Sequence, residues 1–252
     1  MKAMILAAGL GTRLRPLTDD RPKALVEIAG RTLLEITLSR LRAFGVREVI
    51  INVHHRGEMI VEYLKKNGNF GMGIEVSREE ILLDTGGGLK KAAYFFLADS
   101  GEQAFIVHNV DVISTIDLGK MVRFHAENQA LATLAVQDRQ ASRYLLFDQE
   151  LQLCGRRGAS DSKPELVGSP ERVQDLAFSG IHVISPRFLA LMGEEGAFSI
   201  IRTYLRLAGD GEKILAFRAD EYYWRDLGTS ENVKQAARDL EQKVLLQSIQ
   251  SS

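Results

Sequence analysis

A short stretch near the start of the chain concentrates glycines and cations directly behind an apolar run. Met4-Ile5-Leu6-Ala7-Ala8 leads into Gly9-Leu10-Gly11-Thr12-Arg13-Leu14-Arg15-Pro16-Leu17-Thr18, and Pro22-Lys23-Ala24-Leu25 follows. Small residues after a strand let backbone N–H groups close on a phosphate or a nucleobase, and Arg13 and Lys23 add positive charge at the same mouth. These are the materials of a nucleoside triphosphate site. A dinucleotide fingerprint would need a third glycine where Leu14 stands, and a P-loop would need Gly-Lys-Ser/Thr entering a helix; neither is present. Pro16 and Pro22 oppose a helix directly after the glycines, so the segment reads as an open, basic loop crossing the end of a sheet.

Two aspartates add a different chemistry. Asp111 follows the strand-like run Phe105-Ile106-Val107-His108 in Asn109-Val110-Asp111-Val112, and Asp226 lies in Tyr223-Trp224-Arg225-Asp226-Leu227-Gly228-Thr229. A carboxylate at a strand end can hold Mg²⁺, which takes one or two protein carboxylates together with phosphate oxygens and water. From position alone, Asp111 fits a turn aspartate equally well, and Asp226 fits a helix N-terminal charge. Asp84-Thr85-Gly86-Gly87-Gly88-Leu89 is a glycine-rich helix entrance open to any anion. Phe178-Ser179-Gly180-Ile181 reads as a strand in which small residues serve packing. His54-His55 is a polar loop after a strand and not a metal pair, since adjacent residues diverge and no third ligand stands at a recognisable spacing. His108 and His182 fall within strand patterns as packed histidines, and Cys154 reads as a small buried hydrophobe. Asn52 and Asn109 are candidates for ribose or sugar contacts.

The elements that must position these residues alternate through the first half. Leu34, Leu38 and Leu41 mark a helix ended by Gly45; Val49–Val53 is a strand; Met59, Ile60, Tyr63 and Leu64 mark a helix stopped at Asn67-Gly68. A strand over 73–77, a helix from about 88 to 97 and the strand 104–108 complete the alternation. Such alternation implies parallel pairing with right-handed crossovers, hence an α/β fold with a doubly wound, mostly parallel sheet whose sites lie at the strands' carboxyl ends. The second half reads as a helix at 118–125, a strand at 131–136, short strands over 144–154 broken at Asp148-Gln149 and Gly155, a polar loop at 160–170, and a strand at 178–184. Helices at 186–192 and 198–208 and strands at 213–218 and 222–226 follow. Thr229 or Ser230 caps a last helix with the stripe Val233, Ala236, Leu240, Val244.

Composition narrows the class. The chain has 252 residues, 45% hydrophobic and 26% charged, enough for one large α/β domain. A formal net charge of -1 gives no overall basic field, so nucleic acid is not an expected partner. The lone Cys154 excludes a disulfide framework and fits a reducing cytoplasm. No signal-peptide pattern or membrane span is evident, so the expectation is a cytoplasmic monomer or small homo-oligomer without membrane contact.

Taken in order, these segments resemble the sugar-1-phosphate nucleotidylyltransferase family, whose signature LAAGxGTRLRPLTxxxPKxL is matched almost letter for letter, and whose Trp-x-Asp-x-Gly segment is matched around Asp226. The resemblance implies NTP + sugar 1-phosphate → NDP-sugar + pyrophosphate, with Mg²⁺ as cofactor on Asp111 and Asp226. It implies that Arg13 holds the departing pyrophosphate and Lys23 the α-phosphate and the incoming phosphate. Leu6, Ala7, Ala8, Gly9, Gly11 and Thr12 would surround the nucleotide, Thr85, Gly86 and Gly87 its nucleoside, and Asn109, Ser179 and Gly180 the sugar. It also implies a Rossmann-like three-layer sandwich in a single domain over 1–252. Within it, 1–111 would be mainly the nucleotide half, 112–230 mainly the sugar half, and 231–252 a C-terminal helix. No hexapeptide repeat is present, so no β-helix tail is expected. The chain is most similar to the small single-domain uridylyl- and guanylyltransferases, with N-acetylmuramate 1-phosphate uridylyltransferases slightly favoured over mannose or heptose 1-phosphate guanylyltransferases. Two departures stand out: Val110 replaces a family glycine, and the Glu-Lys-Pro that binds the sugar in many relatives is not present as such, with only Ser162-Lys163-Pro164-Glu165 nearby. Alternatives from other classes are phosphocholine cytidylyltransfer, with Tyr222, Tyr223 and Trp224 as a cage, and a catalytically inactive regulatory homologue.

Overall fold

The structure, a computed structural model, describes residues 1–98, 103–158 and 163–241. In chain order the elements are β1 (Lys2–Leu6), β2 (Glu27–Ile28), β3 (Arg31–Thr32), α1 (Leu33–Ala43), β4 (Glu48–Val53), α2 (Gly57–Lys66), β5 (Gly73–Arg78), α3 (Asp84–Lys91) and α4 (Ala93–Leu97). Then come β6 (Phe105–Asn109), β7 (Val112–Ser114), α5 (Leu118–Glu127), β8 (Ala132–Gln137), β9 (Arg143–Phe147), β10 (Leu153–Gly158), β11 (Glu165–Leu166) and β12 (Gln174–Ile184). The chain ends with α6 (Arg187–Ala190), α7 (Ile200–Gly209), β13 (Ile214–Arg218), β14 (Trp224–Asp226) and α8 (Ser230–Glu241).

Ten of these strands form one mixed sheet. Strands β5, β4, β1 and β6 run parallel in that order, β12 runs antiparallel to β6, and β8 with β13 restores the parallel sense beyond it. Strands β1, β4 and β6 carry apolar runs, over 3–5, 49–51 and 105–107, that are buried on both sheet faces. On β1, Ala3 and Ile5 pack on the same side as Leu34 and Leu38 of α1 and Ile60 of α2. Met4 points to the other side, against Leu89, Phe96 and Tyr204 from α3, α4 and α7. The result is the three-layer arrangement expected from the alternation. Thr32 caps α1 by accepting from the N–H of Glu35 at 3.1 Å, which satisfies one of the helix's otherwise unpaired donors.

Several boundaries differ from the sequence reading. The helix expected over 88–97 begins at Asp84 and breaks at Ala92 into α3 and α4, so the three glycines lie inside the first turns. Gly155 does not end a strand: β10 passes through it because the missing side chain admits the backbone oxygen of Glu165, 2.5 Å from where a Cβ would stand. Part of the expected 160–170 loop is strand β11, paired with β10; residues 159–162 and Val244 lie outside the described residues. Among the described residues no helix is long and apolar enough to cross a membrane.

Candidate active site

The carboxyl ends of three adjacent parallel strands define the site. In the pairing register Leu6 of β1 stands opposite Asn52 of β4 on one side and Asn109 of β6 on the other. The chain winds from β1 outward through β4 to β5 and then returns to β6 on the opposite flank, so the crevice opens at a topological switch point. A cavity of about 580 Å³ occupies it, lined by Leu6, Ala7, Ala8, Gly9, Leu10, Gly11, Thr12, Arg13, Lys23, Asn52, Leu82, Asp84, Thr85, Asn109, Val110, Asp111, Ala197 and Gly228.

The glycine loop is bent into place by local chemistry. Gly11 has φ +66°, and a Cβ there would stand 3.0 Å from the Thr18 methyl and 3.3 Å from Lys23 Cβ, so only glycine lets the loop fold over the lysine. Thr18 Oγ1 closes the turn by donating to Gly11 O at 2.9 Å. Short 3-10 turns at Thr12–Leu14 and Lys23–Leu25 take the place of any longer helix. Arg56 holds the outer part of the loop from across the crevice, donating to the carbonyls of Asp19 and Asp20 at 2.6 and 2.9 Å.

Arg13, Lys23 and Asp111 all line the cavity, and the Lys23 ammonium forms an ion pair with the Asp111 carboxylate. Asp226 arrives by a separate route. Strand β14 pairs antiparallel with β7 so that Asp226 faces Val112, and the N–H of Leu227 donates to Asp111 O at 2.8 Å. A Cβ on Gly228 would lie 2.5 Å from Asp226 Oδ1 and 3.0 Å from Arg13 Nη2, which places the carboxylate and the guanidinium around one glycine. An aspartate pair offers hard oxygen donors, the chemistry that would suit a divalent cation keeping positions for phosphate oxygens. Buried Arg40 of α1 steadies β7 beneath this ladder, bonding to Ser114 Oγ and the carbonyl of Ile116, and its burial lowers its pKa to about 10.

The nucleoside and sugar residues read from the sequence divide. Thr85 lines the cavity, its hydroxyl accepting from the N–H of Ile200 at 3.0 Å. Gly86 and Gly87 turn away. Both N–H groups are taken by Phe198 O, and a Cβ on Gly86 would lie 2.3 Å from the Phe198 ring. They serve helix packing, so the close approach their lack of a side chain allows is to Phe198 and Gly196. Asn109 lines the cavity, whereas Ser179 and Gly180 line neither this cavity nor the next. Gly180, φ +73° at an irregularity in β12, gives room to the Asn109 side chain, 2.9 Å from where its Cβ would be. Ser179 is fully buried, its hydroxyl without a partner among the described residues, and its carbonyl accepts from Trp224 Nε1 at 2.7 Å.

A second cavity of about 630 Å³, lined by Asp138, Arg139, Gln140, Tyr144, Arg157, Gly158 and Asp175, escaped the sequence reading entirely. Its residues come from β9, β10, β12 and the turn after β8, too far apart in the chain to form a motif. The Arg139 guanidinium lies 3.6 Å over the Trp224 ring and donates to Phe178 O at 2.9 Å, while its buried Nε has no partner among the described residues. Arg157 faces Asp175 at 3.3 Å as an ion pair. The segment from Trp224 to Gly228 thus lines the first cavity at Gly228 and, at Trp224, touches Arg139 of the second.

The histidines stay out of the chemistry. Burial pushes His108 down to about 3, aided by Arg40, and His182 down to about 3, aided by His108, so both are neutral and sealed in the sheet. His54 contacts the Glu79 carbonyl through Nδ1, and His55 Nε2 accepts from Arg56. Burial raises the Cys154 thiol to about 11, leaving it protonated and inert.

A nucleotidyl transferase family model matches residues 2–243. The chain belongs to that family. It is 35% identical over 234 residues to an N-acetylmuramate alpha-1-phosphate uridylyltransferase of Caulobacter vibrioides, covering 90% of this chain and 91% of that one. It is 30% identical to a mannose-1-phosphate guanylyltransferase of Mycobacterium tuberculosis, of whose length it spans 64% while 94% of this chain is covered. Among solved structures the fold matches HddC from Yersinia pseudotuberculosis at TM-score 0.76 and 22% identity, covering 95% of this chain and 99% of that one. The family resemblance read from the signature and the mostly parallel three-layer fold are both borne out.

Proposed function

We propose that the protein transfers a nucleotidyl group from a nucleoside triphosphate to the phosphate of a sugar 1-phosphate, with Mg²⁺, forming an NDP-sugar and pyrophosphate in the cytoplasm. The observation that carries this reading is the convergence of Arg13, Lys23, Asp111 and Asp226 beside a cavity floored by the glycine loop. The acceptor phosphate is already ionised, so no base is needed, in keeping with two neutral, enclosed histidines. What the site must supply is alignment of two polyanions and compensation of their charge. The glycine loop and Thr85 enclose the nucleotide, Arg13 holds the leaving pyrophosphate, and Lys23 takes the α-phosphate once its pairing with Asp111 is relieved. When bound between Asp111 and Asp226, Mg²⁺ supplies charge neutralisation to the phosphate oxygens.

The second cavity suits the acceptor's sugar, since the donors of Arg139 and Arg157 and the acceptors of Asp138 and Asp175 match a ring of hydroxyls and amides. The likeness to the uridylyltransferase favours UTP and an amino-sugar phosphate. A choline acceptor fits poorly, because the protein's own Arg139 covers the Trp224 ring and Lys120 lies 5.8 Å over the ring of Tyr222. Pyrophosphate release from purified protein with Mg²⁺, each of the common NTPs and a panel of sugar 1-phosphates tests the reading. Release with no pair would sink it.

A further inference from the structure

Glu79 lines neither cavity, yet it is bonded to both walls of the first. It follows β5 and is only 5% exposed, so its carboxylate must be met by donors to remain removed from water. One oxygen accepts from Asn52 Nδ2 at 2.7 Å and the other from the backbone N–H of Leu83 at 2.9 Å. Asn52 in turn accepts at Oδ1 from the N–H of Ala7 at 2.8 Å. The chain of bonds therefore runs from the glycine loop at Ala7, through Asn52 in the cavity wall, to the entrance of α3. Space for it is kept by Gly88, where a Cβ would stand 2.8 Å from both Asn52 Nδ2 and Glu79 Oε1.

The two ends of this relay fix how many donors and acceptors lie between them. Ala7 and Leu83 contribute backbone donors at its two ends, so the two side chains between them must offer three acceptors and one donor. An amide and an ionised carboxylate do so, and the carboxylate has to sit at the Leu83 end or the Ala7 end. We propose that Glu79 is a positioning residue for nucleotide binding: through Asn52 and Leu83 it fixes the distance between the Ala7–Gly11 loop and the start of α3. The proposal rests on the first cavity being the nucleotide site.

The test is a set of three variants: Glu79→Gln, Asn52→Asp and the double variant. Glu79→Gln sets one amide donor against an existing donor, whichever way the amide turns. Its KM for UTP is expected to rise about tenfold, the equivalent of one lost buried hydrogen bond to a charged group, while the KM for the sugar phosphate stays within about twofold. Asn52→Asp sets two carboxylates against each other and should melt lowest. The double variant reverses the polarity and restores all three bonds, so its melting temperature should return close to wild type. Its KM for UTP should fall below that of Glu79→Gln, the remaining difference from wild type being the repulsion between the carboxylate now at position 52 and the phosphates.

An unchanged KM for UTP in Glu79→Gln, an equal rise in both KM values, or a double variant that melts no higher than the singles would each overturn the proposal. Should Glu79→Gln fail to fold, recovery of both folding and UTP affinity in the double variant still supports it, and recovery of folding alone overturns it. If wild-type protein releases no pyrophosphate from any pair while melting temperatures follow the stated order, the nucleotide reading falls and only the structural relay survives.

Discussion

The cavity at the glycine loop, which Gly228 lines, and the cavity at Arg139, which stacks on Trp224, are lined in opposite ways. The first is walled by small residues and backbone from the ends of β1, β4 and β6, with charge from Arg13, Lys23 and Asp111. The second is walled largely by charged and polar side chains standing on β9, β10, β12 and the turn after β8. A wall made of backbone inherits its shape from strand register and helix packing, so it is hard to change without disturbing the fold. A wall made of side chains can change its chemistry while the strands beneath stay paired. Under the proposed assignment, the nucleotide end would be fixed by architecture and the acceptor end would be free to specialise.

The sharpest way to break the comparison is at the point where the cavities share a segment. Asp111→Asn and Asp226→Asn should each lower turnover at saturating Mg²⁺ by roughly a hundredfold or more while leaving the melting temperature within a few degrees, because each removes charge without changing volume. Near-normal turnover in either variant would show that the carboxylate is not a ligand, and the segment would then link the cavities only mechanically.

Legibility followed the same division. The residues of the first wall are contiguous or sit at the ends of strongly patterned strands, so Gly9–Lys23, Asn109 and Asp111 could be read from spacing and motif. Asp226 was legible through its Trp and Gly neighbours, although the β7–β14 pairing that delivers it was not. Arg139, Arg157 and Asp175 were invisible, because antiparallel strands bring together residues whose separation carries no period. Glu79 was missed for another reason: a buried carboxylate looks like any surface acid until its partners are known. Gly86 and Gly87 misled because a missing side chain signals close approach without saying to what.

Those glycines give the next largest effect. Gly86→Ala would drive a methyl group into the Phe198 ring from 2.3 Å, in a region where Phe198 is 5% exposed. A loss of about 1 to 3 kcal/mol of stability is expected, read as a lowered urea midpoint with little change in the UTP to GTP ratio of kcat/KM. A changed ratio at unaltered stability would place the base against Gly86 after all. Thr85→Tyr, whose site does face the cavity, is the variant expected to move that ratio.

A smaller effect arises at the seam between the two regions, where β6 and β12 pair. Burial holds His108 and His182 there near 3, and His125 of α5, bonded to Thr133 and Ser185, near 4, against an ordinary value of 6.5. The unfolded chain takes up protons below about pH 6.5 that the folded chain refuses, so stability is present above that pH and is lost as pH falls toward 4. Each histidine contributes at most about 1.4 kcal/mol per pH unit across that window. His182→Gln should flatten the acid limb of a melting-temperature profile by one such share. An identical slope would mean that His182 titrates alike in both states.

The smallest expected effect bears most directly on the acceptor end. Arg139→Leu removes the guanidinium from the face of Trp224 and its bond to the Phe178 carbonyl, and leaves an apolar side chain of smaller reach. If the second cavity receives the sugar, the KM for the sugar phosphate should rise about fivefold, in line with about 1 kcal/mol for one polar or cation–π contact, while the KM for the nucleotide stays put. Arg139→Lys keeps the charge but loses the flat stack and the fork of donors, so it should recover only part of that affinity. The competing role is mechanical: Arg139 braces Trp224, and Trp224 carries Asp226 two residues on. In that case both variants would lower kcat and leave both KM values unchanged, since the cost would fall on the alignment of Asp226 and not on sugar binding. A pure kcat effect would therefore remove the second cavity from the acceptor site and leave the protein with one functional cavity and a structural prop beside it.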